Sequence, residues 1–376
     1  MAAFIVFILL GFATVIALTG TQAGSRWVLN KAFAGLNDEH RSFTYGSARG
    51  TLLWGITLRD LHYQEGDNAI HVGGLELLWD PSMLLARSLS VERAVINDLA
   101  VTWRAADTPD TAEPFSDPLA GILPLPLAIN IRFAALRTAT ISINDSVQQL
   151  ASLQFSARLQ ERELLLGNVM LDSELIGVQG ELEATLAPPY SLRSDLQWQW
   201  QQALPTALTM EQPQGALHLA GDLNSLIINH QLQTPLRLDS DGNAVLDLFP
   251  QGTARTRTFS IVHQLPPQTA PQLSTESELS IQIDDAEFTT SGWIDSLHVA
   301  GVAAIRLLDV AGVALAPPLG LSWNTLVDTQ GVTLEQLGAS TPSGSFSGSG
   351  EVRWRDGLAL DIDFSLREDD ASQYQA

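Results

Sequence analysis

The sequence predicts a mainly β protein: an N-terminal transmembrane helix, then an elongated, curled, antiparallel and repetitive β-sheet groove with few short helices. Three observations predict it. The chain opens on an uncharged apolar stretch, most of the remaining sequence alternates apolar and polar residues with period two, and helical periodicity is nearly absent there. With 376 residues, 45% of them hydrophobic, the chain can supply a sizeable buried surface.

The opening comes first in order. From Met1 to Ser25 no side chain is charged, and Ala2 to Leu18 is almost continuously apolar, with Phe4, Ile5, Val6, Phe7, Ile8, Leu9, Leu10, Phe12, Val15, Ile16 and Leu18. A helix rises about 1.5 Å per residue, so roughly 20 such residues cross a hydrocarbon core of about 30 Å. Residues 1–25 therefore read as a transmembrane signal anchor. A cleaved signal peptide is the competing reading, with Ala17 and Ala23 small enough to support cleavage. The nearest positive charges, Arg26 and Lys31, lie after the segment, which the positive-inside rule counts against export of the rest.

Residues 26–107 read as an N-terminal helix and a first β region. Trp27, Val28, Leu29, Ala32, Phe33 and Leu36 form an apolar face that predicts a helix stopping near Gly35. The period then becomes two: Leu75, Leu77 and Trp79 alternate with Glu76 and Asp80. Pro81 to Arg87, with Met83, Leu84 and Leu85, predicts a helical turn or two. Prolines 109, 114, 118, 124 and 126 cannot sit in a central strand, so residues 108–126 read as an extended linker.

Residues 127–376 read as a repetitive β-groove region. Leu153, Phe155, Ala157 and Leu159 alternate with polar residues, as do Leu196, Trp198 and Trp200 and, near the end, Leu358, Leu360, Ile362, Phe364 and Leu366. Turn signals such as Pro188-Pro189, Asp241-Gly242 and Asp356-Gly357 predict an antiparallel meander. A loose repeat of glycine and an alternating strand recurs at Gly180, Gly215, Gly292 and Gly350, which argues for stacking along an axis. Roughly eighteen strands at about 4.8 Å spacing would give a trough on the order of 85 Å long.

The function classes narrow from charge and composition. Twenty basic against 42 acidic side chains give a formal charge of -22, which repels phosphate backbones, so nucleic acid is not an expected partner. The absence of cysteine excludes disulfides and thiolate metal sites. Asp239-Ser-Asp241-Gly-Asn243 imitates the start of a calcium loop, but Ala244 and Pro250 stand where glycine and glutamate are needed, and a hairpin turn explains it better. Gly344 to Gly350 is glycine-rich with no lysine or helix after it, and reads as a flexible lead into a strand. None of the seven histidines, residues 40, 62, 71, 218, 230, 263 and 298, has a partner at helical metal-ligand spacing, although a sheet can bring distant ones together. Carboxylate pairs such as Asp284-Asp285 and Asp361-Asp363 fit the polar face of a strand better than a glycosidase site. No nucleophile elbow is present. Catalytic, cofactor and metal residues are accordingly expected to be none.

Several pieces, taken in order, resemble the N-terminal part of TamB, the inner-membrane subunit of the translocation and assembly module in the AsmA-like family. They are the apolar opening with Leu18-Thr-Gly-Thr21, Ala34-Gly-Leu36, Gly46-Ser-Ala-Arg-Gly50-Thr-Leu-Leu-Trp-Gly55 and Leu75-Glu-Leu-Leu-Trp79-Asp-Pro-Ser-Met-Leu-Leu85. Leu123-Pro-Leu-Pro-Leu127 and Gly215-Ala-Leu-His-Leu-Ala-Gly-Asp-Leu223 complete the set. The resemblance implies a β-taco-like groove, single-pass in the inner membrane with its bulk in the periplasm. It also implies phospholipid transport toward the outer membrane and a role in assembling outer-membrane proteins and autotransporters. Family members are longer and end in a domain that meets a TamA-like outer-membrane barrel; against them this sequence reads as a fragment or a split-gene product, with that contact made through a C-terminal part missing here.

The residues make a groove plausible on their own. A sheet with one apolar face must cover it with helices, with a second sheet, or with something the chain does not encode. The expected lining is Leu182, Leu186, Leu217, Leu219, Val352, Trp354, Leu358, Ile362 and Phe364, with phospholipid acyl chains as the occupant. The alternative is a chaperone-like module whose open edges pair with unfolded outer-membrane strands without carrying lipid.

Overall fold

The computed structural model describes residues 18–38, 40–104, 127–143, 146–202, 211–246, 257–270, 280–293, 296–308, 317–328, 330–342, 344–353 and 359–368. The chain forms two compact units, Met1–Pro188 and Pro189–Ala376.

Unit 1 begins with α1 (Gln22–Leu36). Thr21, in extended conformation, caps it by accepting the Gly24 N–H at 3.2 Å, and extended Asn37 ends it. Eight strands come next: β1 (Arg41–Thr51), β2 (Gly55–Glu65), β3 (Asn68–Asp80), β4 (Ser88–Trp103), β5 (Ala128–Ile143), β6 (Ser146–Gln160), β7 (Glu163–Ser173) and β8 (Ile176–Thr185). Each pairs with the next in chain order. All these pairings are antiparallel except β4–β5, which is parallel. The sequence predicted an antiparallel meander, with an extended linker at residues 108–126. The difference lies at residues 105–126, a connection long enough to return the chain to the starting end of β4. That proline-rich stretch lies outside the described residues.

Helix α1 packs on the apolar face of β1 and on the core that β1 shares with β2. Leu29 and Phe33 pack with Phe43 and Tyr45 on a core of Ala48, Ile56, Leu58 and Leu61. The Phe33 ring lies 4.6 Å from that of Phe43 and 5.2 Å from that of Tyr45. Beyond β3, no helix lies on this face among the described residues. The remaining helical elements there are residues 18–20 and the 3-10 helix Pro81–Ala86, which confirms the expected turn or two.

A transverse crease crosses β2 to β5, and a further bend lies on β7. On β2 the inward apolar residues step from Leu58 to Leu61, on β4 from Ile96 to Leu99, on β5 from Leu136 to Ala139, and on β7 from Leu166 to Val169. Each step is three residues instead of two, and the extra residue sits in left-handed conformation at Asp60, Asp98, Thr138 and Asn168 (φ 51–59°). An added left-handed residue bends a strand while keeping its apolar side facing the same way. The bends at Asp60, Asp98 and Thr138 stand in line across β2 to β5, whereas that at Asn168 lies opposite Phe155 of β6, off this line.

Unit 2 contains β9 (Ser191–Trp200), β10 (Gln214–Asp222), β11 (Ser225–Thr234), β12 (Leu238–Val245), β13 (Thr258–Leu265), the short β14 (Gln268–Thr269), β15 (Ser280–Trp293), β16 (Ser296–Leu308), β17 (Leu319–Asp328), β18 (Gly331–Thr341), β19 (Gly344–Arg353) and β20 (Ala359–Glu368). Long strands pair antiparallel in chain order, β13 joining β15 directly. Two expectations need correction here. Asp241-Gly242 is not a hairpin turn but the middle of β12, where glycine is required because a Cβ at 242 would come within 2.2 Å of the Ser260 carbonyl oxygen on β13. Gly344 to Gly350 is likewise strand throughout, paired on both sides.

Candidate functional site, an apolar sheet face

Directly paired residues on neighbouring strands share a face, so the register shows which side chains form continuous rows. In unit 1 one row runs Ala48, Leu58, Leu75, Ile96, Leu136, Leu153, Leu171, Val178 from β1 to β8. A neighbouring row runs Trp79, Val91, Ile131, Ala157, Leu166, Leu182 from β3 to β8. Every member of both is apolar.

Unit 2 repeats the arrangement over eleven long strands. The row through Val352 reads Leu192, Gly221, Leu226, Ala244, Phe259, Gly292, Leu297, Val327, Val332, Val352. It contains no polar side chain. Nine strand spacings of about 4.8 Å make it roughly 43 Å long. The next row passes through Leu219, Ile228, Ile261, Val299, Leu334 and Ile362, and a third through Leu217, Phe288, Trp323, Leu337 and Phe364. On a further row a hollow of about 530 Å³ opens beside Ala303, Leu321, Ala339 and Phe346. The opposite face carries Asp195, His218, Asp239, Asp241, Glu287, Asn324, Asp361 and Asp363. Thus the acidic excess and the apolar rows occupy opposite sides of one layer.

The described members of the expected lining take the following positions. Leu182 lies on the unit 1 face, and Leu186 comes just after β8, its N–H donating to the Arg162 carbonyl at 2.7 Å. In unit 2, Leu217, Leu219, Val352, Ile362 and Phe364 all lie on the one apolar face. Leu217, Leu219 and Val352 are half-buried, whereas Ile362 and Phe364 on β20 are 57% and 74% exposed. Trp354 and Leu358 lie outside the described residues. So do the expected anchor residues Phe4, Ile5, Val6, Phe7, Ile8, Leu9, Leu10, Phe12, Val15 and Ile16. Leu18 is described and helical; no helix among the described residues is long and apolar enough to cross a membrane.

Sequence reasoning missed a polar notch in the third row. His230, Ser240 and His263 are direct neighbours on β11, β12 and β13. Ser240 is buried, and its hydroxyl lies 2.8 Å from His263 Nδ1, while His263 Nε2 lies 3.1 Å from the Thr290 hydroxyl. Trp198 Nε1 donates to His230 Nε2 at 3.1 Å. Desolvation lowers both imidazoles from their ordinary value, and charge repulsion from His230 lowers His263 further. The Ser–His contact ends on a threonine where a carboxylate orienter would stand, so it resembles a satisfied polar insert more than a nucleophile and its base. His62 and His71 also stack, with ring centroids 4.3 Å apart across β2 and β3. Their equal distances from the Gly66-Asp67 turn could have revealed that pair; nothing local signals the other. Among the described residues no group of three or more histidines and carboxylates is arranged to hold a metal ion.

Comparison with known proteins adds one match. No curated protein and no solved structure matches the chain. Residues 11–181 match the family model described as TamB, N-terminal domain. That span holds α1, strands β1–β7 and the first part of β8, the stretch in which the helix-covered strands, the crease and the first apolar rows lie. Over residues 11–181 the chain is TamB-like, and this part of it corresponds to the N-terminal portion.

Proposed function

We propose that this chain is an inner-membrane-anchored periplasmic member of the translocation and assembly module that moves phospholipids between the inner and outer membranes along its apolar face. In doing so it supports assembly of outer-membrane proteins and autotransporters, working with a TamA-like barrel. The observation that carries the reading is the set of apolar rows, unbroken in unit 1 and through Val352 in unit 2, which run across the strands and, past β3, have no helix over them among the described residues. Each methylene removed from water contributes about 0.8 kcal/mol, so an alkyl chain would be held along such a row. Neighbouring rungs are chemically alike, so moving from one to the next costs little. No chemical step is required.

Photo-crosslinking amino acids at Leu219 and Phe364 test this directly. Capture of phospholipid at both positions is expected; capture of polypeptide alone would overturn it. A second reading has its own support. Strand β20 pairs with β19 on one side and, among the described residues, with nothing on the other, and it exposes Ile362, Phe364 and Leu366. Such an edge can receive an unfolded outer-membrane strand by β-augmentation, a chaperone-like role that needs no lipid. Polypeptide capture at Phe364 without lipid at Leu219 would favour it.

A further inference from the structure

One end of the unit 1 sheet holds large apolar side chains in water. Trp54, in the turn between β1 and β2, is 62% exposed; in the 3-10 helix after β3, Met83 is 39%, Leu84 44% and Leu85 93% exposed. These two segments are adjacent. Trp79, two residues before that helix, donates its N–H to the Trp54 carbonyl at 3.4 Å and its indole N–H to the Leu52 carbonyl at 2.8 Å.

The exposure is built in. The Asp80 carboxylate accepts the Ser82 N–H at 2.9 Å and the Ser82 hydroxyl at 2.6 Å, which caps the start of the helix. Arg87, in left-handed conformation (φ 54°), closes its end by donating to the Leu84 carbonyl at 3.0 Å. Between the caps there is no charge. A run of three consecutive exposed apolar residues on a capped helix is unfavourable in water and calls for an apolar partner.

The same end receives the chain from the N-terminal apolar stretch. The Leu53 N–H donates to the Thr19 carbonyl at 2.9 Å, and the buried Ser25 hydroxyl bridges the Thr19 carbonyl and the Leu52 N–H at 2.9 Å each. Thus the turn that carries Trp54 is bonded to the residue directly after Leu18, where the apolar sequence Ala2–Leu18 ends. Arg26 and Arg87 flank the rim, and tryptophan favours the interfacial layer of bilayers.

We propose that Trp54, Met83, Leu84 and Leu85 form a second membrane contact, seated in the interfacial layer of the bilayer that the N-terminal segment enters. This rests on the reading of residues 2–18 as an anchor. Two contacts side by side fix the angle of the sheet to the membrane, where an anchor alone would act as a swivel. They also place the first uncovered rungs close to the lipid supply.

The absence of cysteine makes the test clean. Leu85→Cys, Trp54→Cys, Phe7→Cys and Asp67→Cys are each labelled with an environment-sensitive fluorophore and reconstituted as full chain in phosphatidylethanolamine–phosphatidylglycerol vesicles containing shallow spin-labelled lipid. Asp67 lies in the β2–β3 turn, about 35 Å away along the strands at ~3.3 Å per residue, and serves as the aqueous control. Blue-shifted emission and several-fold stronger quenching at Leu85 and Trp54 than at Asp67 are expected. If Phe7 is quenched but Leu85 and Trp54 behave like Asp67, the second contact is wrong and the anchor stands. If Phe7 is not quenched either, the anchor falls and the rim with it.

Discussion

Among single residues, Ser25 and His263 carry the clearest consequences. The Ser25 hydroxyl, 1% exposed, donates to the Thr19 carbonyl, which also accepts the Leu53 N–H, and accepts the Leu52 N–H, so Ser25→Ala takes away the partner of the Leu52 N–H. Loss of about 1–3 kcal/mol is expected, read as a lower urea midpoint at unchanged slope. The imidazoles of His230 and His263 titrate below their unfolded value near 6.5, because burial disfavours the charged form. The folded state therefore binds fewer protons than the unfolded one as the pH falls below about 6.5, and stability drops until the folded values are passed. Urea unfolding at pH 7.5 and 5.5 should show this loss, and His230→Gln/His263→Gln should shrink the difference. An unchanged difference would assign the pH dependence to other groups. Neither residue was recognisable beforehand: the serine joins partners 6 and 27 positions away, and the histidines meet only through the register of three strands.

Among the elements, most strands were legible and their bends were not. The alternation at Leu75–Trp79, Leu153–Leu159 and Leu196–Trp200 falls in β3, β6 and β9, since period two is what a half-buried strand requires. The three-residue steps at Asp60, Asp98, Thr138 and Asn168 interrupt that period, so they look like the ends of strands when each strand is really longer. Strand direction left no trace either, because a parallel partner buries the same alternating residues as an antiparallel one, and the parallel pairing of β4 with β5 went unforeseen. Side-chain volume between strands, by contrast, gives a sharp prediction. At Gly301 on β16 an added Cβ would lie 2.3 Å from the Phe288 Cβ and 2.7 Å from the Trp323 ring, so the two aromatics meet over the glycine with centroids 6.1 Å apart. Gly301→Val must part them and is expected to cost about 1–3 kcal/mol by urea unfolding, whereas Ala300→Val on the opposite, exposed face should change stability by less than about 0.5 kcal/mol.

At the largest scale, the organising feature is the separation, in unit 2, of acidic side chains such as Asp195, Asp239, Asp241, Glu287, Asp361 and Asp363 from rows of leucine, valine and phenylalanine by the thickness of one sheet. Strand period makes this separable by experiment, because adjacent residues report on opposite faces. Val299 sits in the row of Leu219 and Ile362, and Ala300 beside it points the other way. If the apolar face holds alkyl chains, Val299→Asp places a carboxylate where an acyl chain must pass, and desolvating that charge opposes occupancy of neighbouring rungs as well. A penalty of about 1.4 kcal/mol already lowers occupancy tenfold. Native mass spectrometry of protein gently extracted from membranes should then show at least tenfold less co-purifying phospholipid for Val299→Asp than for the parent, with Ala300→Asp close to the parent. Far-UV circular dichroism separates this from misfolding, since Val299 is only half-buried and the strand ladder survives its loss. Equal lipid retention in both variants would mean that bound lipid does not lie on the apolar face, and the transport reading would lose its support while the β architecture remained.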